Sequence, residues 1–219
     1  MAHSGVFIVL EGLDGSGTTT QTLRLQNWFN GEGSVYGKCF TTCEPTAGPA
    51  GSIARLALNH RLSLDSRTLA LLFAADRADH VYKEDNGLRE PGLYPLLQQG
   101  VHVICDRYLL SSLAYQSLDL PMEWILQINA QVLHPDITVF IDLDPGISER
   151  RLQESRLNRD LFEAASIQQR VLAQYEKAIR LLQNEGHRII RVAGDQSEEL
   201  VQRDILEGIL PLLKDKLNP

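Results

Sequence analysis

Gly12, Gly15 and Gly17, interleaved with Leu13, Asp14 and Ser16 and followed by Thr18, Thr19 and Thr20, form a run whose residue types suit a polyanion. Glycines let the backbone adopt positive φ and bring its N–H groups close to an anion, where a side chain would intrude. The apolar stretch Val6–Leu10 reads as a strand before this run, and the threonines read as a helix start. The partially positive end of that helix adds to the attraction. Gly12, Gly17 and Thr19 fit the pattern G-x-x-x-x-G-K-[ST], in which backbone amides cradle phosphates and the last hydroxyl takes magnesium. Thr18 stands where the pattern has lysine. The run therefore announces a nucleoside-triphosphate site without its usual cation. The bland alternative is an ordinary glycine-rich turn, and the flanking strand and helix favour phosphate binding over it.

Three further groups could do related chemistry. Asp106 and Arg107 close the apolar stretch before YLLSSLAYQ. A carboxylate there can hold magnesium together with Thr19, and an arginine can clamp a phosphate with two hydrogen bonds. A helix-capping Asp beside a surface Arg is the competing explanation. Phe73 and Arg77 stand one helical turn apart and share a face. Phe73 alone reads as core packing, but Arg77 inside the apolar run LALLFAADRA needs partners if it is buried. Arg150, Arg151, Arg156 and Arg159 cluster in ERRLQESRLNRDLFE. Such a run is commonly a solvated helix face with internal Glu–Arg pairs. Beside a phosphate loop it can instead fold over a transferring phosphoryl group.

The elements that must position these residues follow from hydrophobic patterning. Strands are expected at Val6–Leu10, Lys38–Thr42, Val101–Cys105, Thr138–Leu143 and Arg188–Val192, with helical patterns between them and a last helix at Ser197–Lys214. Strands alternating with long helices imply crossover connections and a parallel sheet covered on both faces. Ligands of such sheets sit at the carboxyl ends of the strands, where the candidates fall. The 219 residues, 43% hydrophobic with mean hydropathy −0.15, suit one α/β domain spanning 1–219. A net charge of −7 argues against a nucleic-acid partner. No apolar run approaches membrane-spanning length and no signal peptide is visible, so the cytoplasm is the expected compartment. Cys39 and Cys43 on one strand would lie roughly 13 Å apart, too far for a disulfide. All three cysteines read as reduced thiols.

FIVLEGLDGSG, EPT, LLFAADRADH and DRYLLSSLAYQ, in this order and at these spacings, resemble thymidylate kinases. GPAGSIAR is similar to the family's segment after the second strand, and the likeness runs from about Val6 to Ala178. The resemblance implies a P-loop nucleoside monophosphate kinase-like fold, with a five-stranded parallel sheet covered by helices on both faces. It implies MgATP at Gly12–Thr20, with Thr19 and Asp106 at the Mg2+, and dTMP as acceptor. Phe73 would stack on thymine and Arg77 would bond a base carbonyl. Arg107 would hold the acceptor phosphate, and Asp14 would contact the sugar or acceptor region. Tyr115 would crowd the 2′ position, Ser112 and Gln116 would finish the pocket, and Glu44–Pro45 would shape its wall through a cis peptide. The arginine-rich segment at about 150–161 is similar to the family's lid. Because DGSG carries no arginine, Arg156 and Arg159 are the expected catalytic pair, with Arg150 and Arg151 in reserve. A homodimer through helices near Leu64–Glu84 is a further family-level expectation.

Two departures mark this chain: Thr18 for lysine, and Cys43 before Glu-Pro where many relatives carry arginine. A cation ~4 Å from a phosphate oxygen, at an effective dielectric near ~20, contributes roughly 4 kcal/mol, or about three decades of rate. The rival readings are a kinase for another deoxynucleoside monophosphate and a nucleotide-binding regulator that has lost catalysis.

Overall fold

The computed structural model describes residues 4–31, 34–84, 91–155 and 161–217. Five strands, β1 (Phe7–Gly12), β2 (Cys39–Cys43), β3 (His102–Asp106), β4 (Ile137–Asp142) and β5 (Ile189–Ala193), pair in parallel in the order β2-β3-β1-β4-β5. All of β1 is buried, as a central strand with helices on both faces must be. Its residues alternate between two apolar clusters. Phe7 and Val9 join Val103, Cys105 and Phe140, while Ile8 and Leu10 join Ile104, Val139 and Ile141. Helices α1 (Thr18–Asn30) and α9 (Glu198–Leu217) cover the second cluster with Leu25, Phe29, Val201 and Ile205. Helices α4 (Leu93–Gln98), α5 (Leu109–Gln116) and α8 (Leu161–Asn184) cover the first with Leu97, Leu113, Val171 and Ile179. The described helices also include α2 (Pro49–Leu58), α3 (Ser66–Tyr82), α6 (Met122–Ile128) and α7 (Pro145–Ser155).

The expected α/β fold with its five-stranded parallel sheet is present, each strand lying close to its sequence-based position. Helix α4 is absent from the sequence reading. It has six residues, and Pro95 hides it, although a proline in the first turn loses no helical hydrogen bond. Register brings Leu10 and Cys43 level with Asp106, and Gly12 level with Ile141. The carboxyl ends of β2, β3, β1 and β4 therefore form one rim. Strands β2 and β3 lie to one side of β1 and β4 and β5 to the other, so the loop after β1 sits where the chain's path diverges.

Cys39, Cys43 and Cys105 are all free, as expected. Burial pushes the Cys39 thiol up to about 12 and the Cys105 thiol well above its ordinary value, which leaves both inert. Among the described residues no helix is long and apolar enough to cross a membrane.

Candidate active site

The loop between β1 and α1 takes its shape from its glycines. Gly15 and Gly17 adopt φ of 79° and 95°, left-handed values that other residues avoid. A Cβ on Gly12 would fall 2.5 Å from Ser16 Oγ and 2.8 Å from the Ile141 carbonyl oxygen. At Gly17 a Cβ would meet nothing within 4 Å, so the loop is open there, at the N-terminus of α1. Ser16 Oγ is buried without a hydrogen-bond partner, an atom that a ligand oxygen would satisfy. Thr18 is buried at the first position of α1. From outside, α7 braces the loop. The Ser148 hydroxyl donates to the Asp14 carbonyl, and Arg151 donates to the carbonyls of Gly15 at 3.4 Å and Gly194 at 3.0 Å.

At the second residue of α1, the Thr19 hydroxyl donates to Asp106 Oδ2 at 2.5 Å. Asp106 Oδ1 is buried and unpartnered, which is costly unless something fills the gap. Two hard oxygen ligands beside a phosphate loop fit magnesium, which takes one or two protein ligands and completes its shell with phosphate and water. Among the described residues no group of three or more His, Cys, Asp or Glu that could hold a metal ion occurs. A cleft of about 730 Å3 opens beside this corner along β2, lined in part by Thr19, Thr42, Cys43, Lys83 and Asp106.

The residue after Asp106 turns the other way. Arg107 has φ 68°, and its Nη2 donates to Asp14 Oδ1 at 2.8 Å. Its Nη1 donates to the Gly12 carbonyl at 2.9 Å. The guanidinium lies 5.5 Å from the centre of the Tyr115 ring, a cation–π contact. The Tyr115 hydroxyl is buried near Arg107 and Asp14 but forms no hydrogen bond of ordinary geometry. Burial pushes that phenol well above its usual range. Gln116 donates to Ser112 Oγ at 3.4 Å, and its own Oε1 has no partner. Two unpartnered polar atoms on one helix, Tyr115 Oη and Gln116 Oε1, are groups that a bound polar molecule would complete.

A family model described as thymidylate kinase matches residues 10–205. The chain belongs to the thymidylate kinase family. It is 36% identical over 219 residues to a probable thymidylate kinase of Pyrococcus abyssi, covering 97% of this chain and 98% of the relative. It is 32% identical to a probable thymidylate kinase of Thermococcus gammatolerans, covering 94% and 100%. A putative thymidylate kinase of Treponema pallidum is 31% identical over 93% of this chain and 94% of its own length.

In this thymidylate kinase family member, the residues singled out in the sequence gather at the rim, but not all face it. Gly12 to Thr20 form the loop and the start of α1, Thr19 meets Asp106, Asp14 meets Arg107, and Tyr115 of α5 packs against the Arg107 guanidinium, with Ser112 and Gln116 on the same helix. Phe73 is half-buried and belongs to neither apolar cluster, so core packing does not explain it. Arg77 is 1% exposed and already engaged: Nε donates to Glu44 Oε2 at 2.8 Å, Nη1 to Asn129 Oδ1 at 2.5 Å and Nη2 to Ser112 Oγ at 2.9 Å. Glu44 is buried beneath the pocket wall, also meeting His80 Nδ1 at 3.0 Å, and its bond to Pro45 is cis. Arg156 and Arg159 lie outside the described residues. Glu11, His80, Asn129 and Tyr175 were not read from the sequence. Glu11 directly follows the stretch read as a strand, Val6–Leu10, and the structure extends β1 to include it.

Proposed function

We propose that this chain transfers the γ-phosphoryl group of ATP to dTMP, giving ADP and dTDP. The observation that carries this reading is the pair Asp106–Arg107 at the end of β3. Asp106 bonds to Thr19 at the start of α1, while Arg107 bonds to Asp14 in the loop that leads into that helix. Donor and acceptor phosphates would thus be gripped from two consecutive residues, the last of β3 and the one after it, which favours reactive alignment. Backbone amides of Gly12–Thr20 would hold the ATP phosphates, Arg107 the dTMP phosphate, and an acceptor oxygen would attack in line as ADP leaves. Thr19 and Asp106 are the residues that would hold Mg2+, whose charge offsets that of the phosphates. Phe73 would stack on the base, with Ser112 and Gln116 beside it and Glu44–Pro45 shaping the wall.

In this reading the chain is one domain with a lid at about 150–161, works in the cytoplasm, and engages neither nucleic acid nor membrane. Thr18 makes its P-loop atypical, and Arg156 or Arg159 of the lid supplies the cation. Arg151, braced against the Gly15 carbonyl, supports the loop from behind. The homodimer is supported by Ile53, Leu56 and Leu58 on α2 and Leu71 on α3, each at least 41% exposed on two helices packed together. A coupled ADP-release assay with ATP, Mg2+ and dTMP tests the activity. ADP formation should require dTMP and stop with a chelator, and release indifferent to dTMP would refute the reading.

A kinase for another deoxynucleoside monophosphate is the second reading. It is favoured by Arg77, whose three nitrogens all donate within the protein and leave base selection to fewer groups. In either reading Tyr115 excludes ribose, because a ring at the 2′ carbon rejects a hydroxyl by clash and desolvation. Tyr115→Ala should narrow the preference for dTMP over its ribonucleotide counterpart. An unchanged ratio of kcat/KM values would remove that role.

A further inference from the structure

Glu11 lies at the end of β1 with none of its surface reaching solvent. A buried carboxylate persists only where donors surround it. Its Oε1 accepts the backbone N–H of Tyr108 at 2.9 Å and of Ser111 at 3.1 Å. Its Oε2 accepts the Ser111 hydroxyl at 2.5 Å and the Tyr175 hydroxyl at 3.2 Å. The first turn of α5 is therefore capped from another strand, since Tyr108 at the N-cap offers no side-chain hydrogen bond. Burial raises the carboxyl's pKa, while Ser111 and the nearby Arg107 pull it back.

What this arrangement constrains is Arg107. A φ of 68° is a conformation that a residue other than glycine keeps only when its surroundings impose it. The chain is held on both sides of that torsion. Arg107 N donates to the Leu10 carbonyl at 2.9 Å, and the next N–H, from Tyr108, donates to Glu11. The guanidinium is held too: Nη1 lies 3.4 Å from the Tyr175 hydroxyl and 3.3 Å from Ser111 Oγ, in addition to the Gly12 carbonyl. The Tyr175 hydroxyl also reaches that Gly12 carbonyl at 3.0 Å. Tyr175 stands on α8, the helix that follows the arginine-rich segment, so α8, the start of the phosphate loop and Arg107 meet at one hydroxyl.

We infer that Glu11 and Tyr175 are positioning residues for the acceptor phosphate, holding Arg107 in the backbone conformation and guanidinium orientation with which it grips the monophosphate. The inference rests on the role given to Arg107 above. The competing explanation is that Tyr175 only fills the core, where its ring packs 5.0 Å from Phe140 and 6.1 Å from Tyr115. Tyr175→Phe keeps that ring and removes only the hydroxyl.

The test is dTMP binding by calorimetry, with KM values for dTMP and ATP, on the full-length wild type, Tyr175→Phe, Arg107→Ala and the double variant. Tyr175→Phe should weaken dTMP binding roughly tenfold, the scale of one hydrogen bond to a charged group, and leave the ATP KM within about twofold. Added to Arg107→Ala it should cost nothing further, because its effect passes through the arginine. Glu11→Gln keeps one capping oxygen and should show a smaller loss confined to the same dTMP parameters. Wild-type dTMP affinity in Tyr175→Phe, equal losses for both substrates, or an undiminished effect without Arg107 would each overturn the inference. If Arg107→Ala binds dTMP like wild type, the role of Arg107 itself falls. If Arg107→Ala is weakened and Tyr175→Phe is not, only the positioning role falls.

Discussion

Replacing the responsible lid arginine, Arg156 or Arg159, with alanine should lower turnover by about two to three decades. The expectation begins at Thr18, which is buried at the start of α1 and supplies a hydroxyl where the motif calls for a charge. No compensating charge enters from Cys43, which lies level with Asp106 in the sheet register. Arg151 is close to the loop, but its donors go to the carbonyls of Gly15 and Gly194. The expected source is therefore the arginine-rich segment at about 150–161, from which an arginine would offer β- and γ-phosphate oxygens a fork of donors. The loss should fall on kcat more than on KM, because the charge acts most where transition-state charge develops. Thr18→Lys should partly restore the activity of the alanine variant. Full wild-type activity in each of the alanine variants at Arg150, Arg151, Arg156 and Arg159 would contradict the compensation.

Arg77→Ala should destabilise the fold by about 3–5 kcal/mol, the cost of leaving a buried partner charge uncompensated. Glu44, 2% exposed at its side chain, would retain His80 but lose the guanidinium. Asn129 and Ser112 would lose a donor as well. For a chain of this length that corresponds to a fall in melting temperature of roughly 10 °C. The dTMP KM should rise with it, because Glu44, Ser112 and the wall at Pro45 all depend on the same guanidinium, while ATP binding should change little. A variant that melts with wild type would show that the network contributes little to stability. Unchanged dTMP dependence would detach Arg77 from the acceptor pocket.

The contrast between Arg77 and Asp106 shows how far the sequence could be read. Asp106 ends a strand and Arg107 follows it, and strand ends in a parallel sheet face the ligand crevice, so their placement followed from the sheet alone. Arg77 sits in mid-helix, and its one-turn relation to Phe73 gave a face without saying how deep that face lies. Its partners Glu44, Ser112 and Asn129 come from three other parts of the chain, and no local pattern ties them together. The same holds for Tyr175, which by spacing is one more aromatic on the core side of a long helix. Its hydroxyl acquires meaning only when α8 packs over the end of β1. Patterns of period two and 3.6 report which face is buried. Hydrogen bonds between distant elements appear only once those faces are assembled.

The most direct test of the account is ADP release with ATP and Mg2+ across dTMP, dUMP, dCMP and UMP as acceptors. The account predicts dTMP as the preferred acceptor by kcat/KM, with UMP the poorest because Tyr115 crowds the 2′ position. A preference for a different deoxynucleotide would keep the kinase and overturn its substrate. Tight ATP binding with no phosphoryl transfer to any of the four would contradict the central claim, leaving a nucleotide-binding regulator on a kinase fold.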